Sequence, residues 1–187
     1  MEINKNIIIQ AAVFARYAHR NQVRKYTGEP YWNHCNEVAY IVWPHATNEM
    51  VAAAYLHDTM EDCEVDSDTI QTLFGDRVCS LVKDLTDVSK PSDGNRRTRK
   101  DIDLKHTAMA SSEAKTIKLA DLISNTRSIV QYDPNFARVY LHEKERLLEV
   151  LGEGDPKLFD TASNLLLQGI LLGKIGRREL KEKGLWK

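Results

Sequence analysis

Apolar side chains recur three and four residues apart along most of the chain, and no stretch alternates apolar and polar long enough to make a useful strand. The pattern predicts an all-α fold. The first amphipathic stretch, residues 3–20, gathers Ile7, Ile8, Ala11, Ala12, Phe14, Ala15 and Ala18, and leaves Arg16, His19 and Arg20 on the other positions. After a Thr-Gly turn, Pro30 suits the first turn of a second helix, which puts His34 one turn in. That helix continues through Val38, Ala39, Ile41 and Val42. It stops near Trp43 and Pro44, because the residue before a proline avoids helical backbone. A third helix starts at about Thr47 and Asn48 and carries VAAAYLHD. A short helix capped at Asp66 closes on Gly75, and another follows over residues 76–88.

KPSDGN, residues 90–95, is the clearest loop, and it separates two helical halves of one domain rather than two domains. NRRTRKDIDLKHTAMAS then reads as a basic-to-apolar helix. AKTIKLADLISNTRSIV is a strongly apolar one that bears Asp121 and Asn125 four residues apart. Asp133-Pro134 breaks the chain before NFARVYLHEKERLLEVL, and residues 152–156 break it again. A last apolar helix, LFDTASNLLLQGILLGKIG, suits either the core or a homodimer interface, and a charged tail follows it.

Bulk properties narrow the classes. A chain of 187 residues fits a single domain, 1–187, with one sizeable core. With 26 basic and 27 acidic residues the net charge is -1, so no global field favours nucleic acid or a membrane surface, and any attraction for anions must be local. The N-terminal apolar run is short and flanked by charges, unlike a secretory leader, and no stretch approaches the roughly 18 apolar residues of a membrane helix. A cytoplasmic protein is expected. Three widely spaced cysteines, Cys35, Cys63 and Cys79, form neither a disulfide framework nor a zinc knuckle and read as reduced thiols.

One stretch concentrates the chemistry. AAAYLHDTMED, residues 52–62, is an apolar helical run that ends in four acid or imidazole side chains. On one continuous helix His57 and Glu61 would share a face, as would Asp58 and Asp62. His57 and Asp58 stand about 100° apart around the axis, so both reach one ion lying between them. Two ligands do not make a site, and His34 and Asp121 are the best further candidates. A carboxylate flanked by Leu119, Ala120 and Leu122 either faces solvent or has a cation or hydrogen-bond network as partner.

The adjacent His-Asp pair resembles the mark of the HD phosphohydrolase superfamily. With RKYTGEPYWNH, HDTMED and IKLADLISNTRSI in that order and spacing, the chain resembles the hydrolase domain of RelA/SpoT-type proteins over about residues 8–150. FGDRV and the Tyr140 and Lys144 element extend the likeness. The resemblance implies a helical HD domain of about nine helices and one divalent ion, usually manganese. It also implies removal of pyrophosphate from the 3′ position of ppGpp and pppGpp. Its metal ligands would be His34, His57, Asp58 and Asp121, a mixed nitrogen and carboxylate set that also accommodates Fe²⁺, Zn²⁺ or Co²⁺. Glu61 and Asp62 match the catalytic pair that orients or deprotonates the attacking water. Relatives that have lost hydrolase activity generally alter this motif, whereas HDTMED is intact.

Substrate contacts implied in the same way are Arg24, Lys25, Arg97, Asn125, Tyr140 and Lys144, with arginine forks suited to phosphate. The choice among Arg96, Arg97, Arg99 and Lys100 stays open, and the run can equally be a solvated helix face. Lys115, Lys118 and Arg127 are expected on the surface. His19, His45, His106 and His142 lack ligand context and read as surface or packing residues, while Cys35 and Cys63 read as buried small hydrophobes. Two alternatives share the sequence: the same site acting on the 2′-phosphate of NADPH or another nucleotide phosphate, and a nucleotide sensor without turnover.

Overall fold

The computed structural model describes the backbone of residues 5–182 and the side chains of residues 7–171. Nine α-helices follow one another among the described residues: α1 (Lys5–Ala18), α2 (Trp32–Val42), α3 (Asn48–Leu56), α4 (Thr59–Asp62), α5 (Ser67–Leu85), α6 (Arg96–Ala108), α7 (Ser112–Tyr132), α8 (Pro134–Val150) and α9 (Pro156–Glu182). Two 3₁₀ turns join them, Trp43–His45 and Pro91–Asp93. The only β contact among the described residues is an isolated antiparallel bridge between Val23 and Pro30. None of the described helices is long and apolar enough to cross a membrane.

Helix starts follow from local hydrogen bonding. The side chains of Thr47, Asp66, Asn95, Ser111 and Asp133 each accept the backbone N–H three residues on, satisfying one of the donors that a helix start leaves free. Two helices then form the centre. In α3, Met50, Val51, Ala52, Ala53, Ala54 and Leu56 are all buried, so this helix is apolar all round and must be enclosed. It packs against α1, α2, α5 and α7. The other central helix, α7, packs against α2, α3, α5, α8 and α9 and buries Ile117, Leu119, Ala120, Leu122 and Ile123. The end of α3 and the middle of α7 are therefore held by the core itself.

Several boundaries differ from the pattern. The third helix ends at Leu56, one residue before the His-Asp pair; Asp58 sits at φ -97° and ψ -3°, between helical and extended backbone. Thr59 Oγ1 donates to Leu56 O at 2.7 Å and takes up a carbonyl freed by this break. His57 and Asp58 thus lie in a tight turn between α3 and α4, not on one continuous helix. Proline at position 30 lies in the bridged loop, and α2 begins at Trp32, so His34 is its third residue. Gly75 does end a helical segment: at φ 83° and ψ 170° it kinks α5, and the helix resumes at once. The loop over residues 90–95 contains a 3₁₀ turn. Helix α9 runs on through the charged stretch to Glu182, and residues 183–187 of the expected tail lie outside the described residues.

Candidate metal centre and anion cleft

Three separate parts of the chain deliver the predicted ligands to one buried point: α2 brings His34, the α3–α4 turn brings His57 and Asp58, and α7 brings Asp121. The two imidazoles meet edge to face, with ring centres 5.2 Å apart. His34 Nε2 lies 3.2 Å from Asp121 Oδ1 and 3.6 Å from Asp58 Oδ2. His57 Nε2 lies 2.9 Å from Asp58 Oδ2 and 3.8 Å from Asp121 Oδ1. Both Nε2 atoms are fully buried and make no hydrogen bond. Ligand atoms of His34, His57 and Asp121 all fall within 4.8 Å of one another, and this group could hold a metal ion. An unsatisfied buried nitrogen is costly, and two of them pointing at carboxylates fit a divalent cation with nitrogen and oxygen ligands.

The far side of each ligand is also held. His57 Nδ1 donates to Ala54 O at 2.8 Å, and since a carbonyl only accepts, the neutral ring keeps its lone pair on Nε2. His34 Nδ1 meets Ser124 Oγ at 2.9 Å. Asn125 Nδ2 donates to Asp121 Oδ1 at 2.6 Å, and Tyr31 Oη donates to Asp58 Oδ2 at 2.8 Å. Tyr31 was not singled out from sequence, although it stands three residues before His34. Burial, with Asp58 beside it, pushes its phenol far above the ordinary value and keeps it a donor.

Charge in the cluster calls for a cation. Burial alone would lower the basicity of His57, but the Asp58 and Asp121 carboxylates outweigh it, and its pKa is pushed up to about 10. Burial likewise opposes ionisation of Asp58 and Asp121, yet the imidazoles beside them hold both carboxyls well below the usual range. The metal-free cluster thus takes a proton where a metal ion would sit.

Glu61 and Asp62 follow on α4, at the exposed rim. Protein crowded around the Glu61 carboxylate, and then the neighbouring Asp87, raise its pKa above the ordinary carboxylate range. Its Oε2 accepts the Asp87 N–H at 3.3 Å. Asp62 is raised as well, first by the protein that screens one side of its carboxylate from water and then by the Asp58 charge.

Asp87, whose N–H Glu61 accepts, also lines a cleft with Lys100, Asp103, Lys118, Glu143, Lys144 and Arg146 among others. Lys118 is a correction to the surface expectation. Its Nζ donates to Leu85 O at 3.2 Å, and the charges of Asp121, Asp87, Glu61 and Asp58 more than offset burial and raise its pKa. A sequence signal existed, because Lys118, Asp121 and Asn125 share one helical stripe. Lys144 behaves oppositely: burial first, then the Lys118 charge, lower its pKa. Its Nζ lies 5.3 Å from the centre of the Tyr140 ring. Tyr140 is buried, and its hydroxyl meets Thr126 Oγ1 at 3.3 Å.

The other predicted cations are spread around this region. Arg24 is largely buried and donates to Asn125 Oδ1 at 3.4 Å, whereas Lys25 is exposed over the Tyr26 and Phe136 rings. On α6, Arg96 forms a fork on Glu143 at 2.7 and 2.9 Å, and Lys100 bonds Asp87 at 2.6 Å. Arg97 stands exposed at the helix start. Lys115 is buried against Glu153, also against the surface expectation, while Arg127 is exposed as expected.

None of the four remaining histidines joins the cluster. His19 is buried against Gln22 and Cys63, His45 pairs with Asp155 at 3.0 Å, His106 reaches Lys83 O at 3.0 Å and His142 is exposed. Cys35 is buried and Cys63 half-buried.

Comparison with known proteins places the chain in a family and a fold. Residues 11–147 match the family model described as HD domain. The chain is 38% identical over 120 residues to the guanosine-3′,5′-bis(diphosphate) 3′-pyrophosphohydrolase MESH1 of Drosophila melanogaster, a match covering 62% of this chain and 65% of the fly protein. It is 37% identical over 133 residues to a probable GTP diphosphokinase, RSH3, of Arabidopsis thaliana chloroplasts, covering 68% of this chain but 18% of that protein. The matched stretch thus spans less than two thirds of these relatives. Among solved structures, a metazoan ortholog of SpoT described as hydrolysing ppGpp superimposes with a TM-score of 0.80 at 26% identity, covering 90% of this chain and 98% of the other. The fold is shared too by lmo0812 of Listeria monocytogenes, at a TM-score of 0.60 and 22% identity, covering 73% and 97%.

Proposed function

We propose, from the premise that the chain belongs to the HD domain family, that it is a divalent-metal-dependent hydrolase that removes the 3′-pyrophosphate of ppGpp and pppGpp. The activities of the fly and metazoan relatives support this substrate class. The observation that carries the reading is the pair of buried, unpartnered Nε2 atoms of His34 and His57, facing the carboxylates of Asp58 and Asp121. These four residues would hold the ion, and manganese suits their mixed donors, as do Fe²⁺, Zn²⁺ and Co²⁺. Bound there, a divalent ion lowers the pKa of water and polarises a phosphoryl oxygen.

The chain's own residues supply the rest. Glu61, with a raised carboxyl and an anchor on the Asp87 N–H, is the base that takes the proton of the attacking water, and Asp62 orients that water. The water oxygen bonds the phosphorus next to the ribose, the bond from that phosphorus to the 3′ oxygen breaks, and the 3′ oxygen takes a proton. Pyrophosphate and GDP or GTP result. Lys118, Lys144 and Lys100 line the adjoining cleft and meet the negative phosphates, and Arg97, exposed at the start of α6, adds a further cation for them. Arg24 and Lys25, with Asn125, hold the other end of the nucleotide, and the Tyr140 ring supports Lys144. A diffusible nucleotide as substrate fits an enzyme of the cytoplasm.

The test is a nucleotide panel with Mn²⁺, read out as pyrophosphate against orthophosphate. Pyrophosphate and GDP from ppGpp are expected. Orthophosphate from NADPH with ppGpp intact would shift the assignment to a nucleotide phosphatase, and binding of ppGpp without turnover would make the protein a sensor. Glu61→Gln should lower kcat by roughly 10²- to 10⁴-fold with nucleotide binding kept, and a wild-type rate would remove Glu61 from the mechanism.

A further inference from the structure

His34 is held from behind differently from His57. Ser124 is 1% exposed, and its hydroxyl has one proton to give. A carboxylate can only accept, so at 2.7 Å that proton goes to Glu37 Oε2. Towards His34 Nδ1, 2.9 Å away, the hydroxyl oxygen is then left only to accept. His34 must carry its ring proton on Nδ1, and in the neutral ring Nε2 keeps its lone pair. Ala54 imposes the same tautomer on His57 through a backbone carbonyl that the helix fixes. For His34 the tautomer depends on two side chains.

We propose that Ser124 and Glu37 are positioning residues that lock His34 in the tautomer able to bind a metal through Nε2. This rests on reading the His-Asp cluster as a metal centre. Two arginines steady the charge at the end of the relay, Arg24 at 3.8 Å and Arg127 at 3.7 Å from the Glu37 carboxylate. Arg24 also donates to Asn125, which donates to Asp121. One guanidinium therefore joins the outer supports of two ligands, and α7 contributes Asp121, Ser124 and Asn125 from neighbouring positions on one face.

The experiment is a Mn²⁺ titration of the metal-free protein, followed by the signal of free Mn²⁺, together with ¹⁵N NMR of the histidine rings. Ser124→Ala should weaken Mn²⁺ binding by roughly 10- to 100-fold, as loss of an outer hydrogen-bond partner does at comparable sites. It should also erase the Nδ1–H signature of His34 while leaving that of His57. Ser124→Thr keeps the hydroxyl and should restore both. Should Ser124→Ala fail to fold, Glu37→Ala serves at a half-exposed position: it frees the serine proton to turn towards His34, so weaker binding and a mixed tautomer are expected. Wild-type affinity and an unchanged His34 signature in these variants overturn the relay alone. A wild-type protein that binds no Mn²⁺ overturns the metal reading, and the relay with it.

Discussion

Metal loading should expel a proton, and the structure says from where. In the metal-free cluster His57 is pushed from its ordinary 6.5 up to about 10, because Asp58 and Asp121 outweigh the cost of burying its charge. At pH 8 a group titrating near 10 is about 99% protonated, whereas one at its ordinary value is only about 3% protonated. A ligand nitrogen must be bare to bind, so each ion should displace close to one proton from His57. The apparent affinity should then climb about tenfold per pH unit between roughly pH 7 and pH 9. Calorimetric titration of the chelated protein in two pH 8 buffers of different ionisation enthalpy measures the released proton directly. Release near zero, with affinity flat over this window, would refute the charge argument.

The same shift sets a sign for stability. A group whose pKa is raised by folding stabilises fully below its unfolded value of about 6.5, and that contribution fades as pH rises towards about 10. Each unit is worth about 1.4 kcal/mol, so chelated protein should lose on the order of several kcal/mol between pH 6.5 and pH 10. Bound metal replaces the proton and should flatten that loss.

Two further perturbations separate site from scaffold. Lys118→Met removes a cation facing Asp87, Glu61 and the ligands, and the loss of one charged hydrogen bond of about 1.5–3 kcal/mol should lower kcat/KM for ppGpp roughly 10- to 100-fold. Lys105→Met, exposed on α6, should leave it unchanged; equal effects would show that bulk charge, not the cleft, meets the phosphates. Gly75→Ala would meet no atom within 4 Å, so its cost is backbone strain alone, about 1–3 kcal/mol for φ +83° and ψ 170°. Urea unfolding checks this, and an unshifted midpoint would mean that α5 relaxes without the kink.

Much of the fold was legible because each helix carries its own apolar stripe and stop. Thr47, Asp66 and Asn95 cap the helices that follow them, and Gly75 and Pro134 interrupt the chain where the pattern puts breaks. The break at Leu56 was not legible. Asp58 and Thr59 are weak helix formers, but no Gly or Pro marks a stop between Ala52 and Asp62, and the observed turn leaves His57 Nε2 3.8 Å from Asp121 Oδ1.

Lysines were misjudged for a related reason. A lysine among apolar residues normally sends its amine out to water along its stem, so Lys115 and Lys118 read as surface positions. Lys115 is instead buried and ends on Glu153, which the break before α9 carries back over α7. Lys118 stays within because the surrounding carboxylates, Asp121 on its own helix and Asp87, Glu61 and Asp58 from elsewhere, favour its charge more than burial penalises it. The sequence contains every one of these acids, but their sum at one point is a property of the packed helices. The candidate metal cluster was easier to assemble from the sequence for the opposite reason: ligands of this kind must be histidine or carboxylate, and few such residues fall within otherwise apolar helices. Residues that only support those ligands, Tyr31, Ser124 and Glu37, carry no such constraint of type, and only their hydrogen bonds identify them.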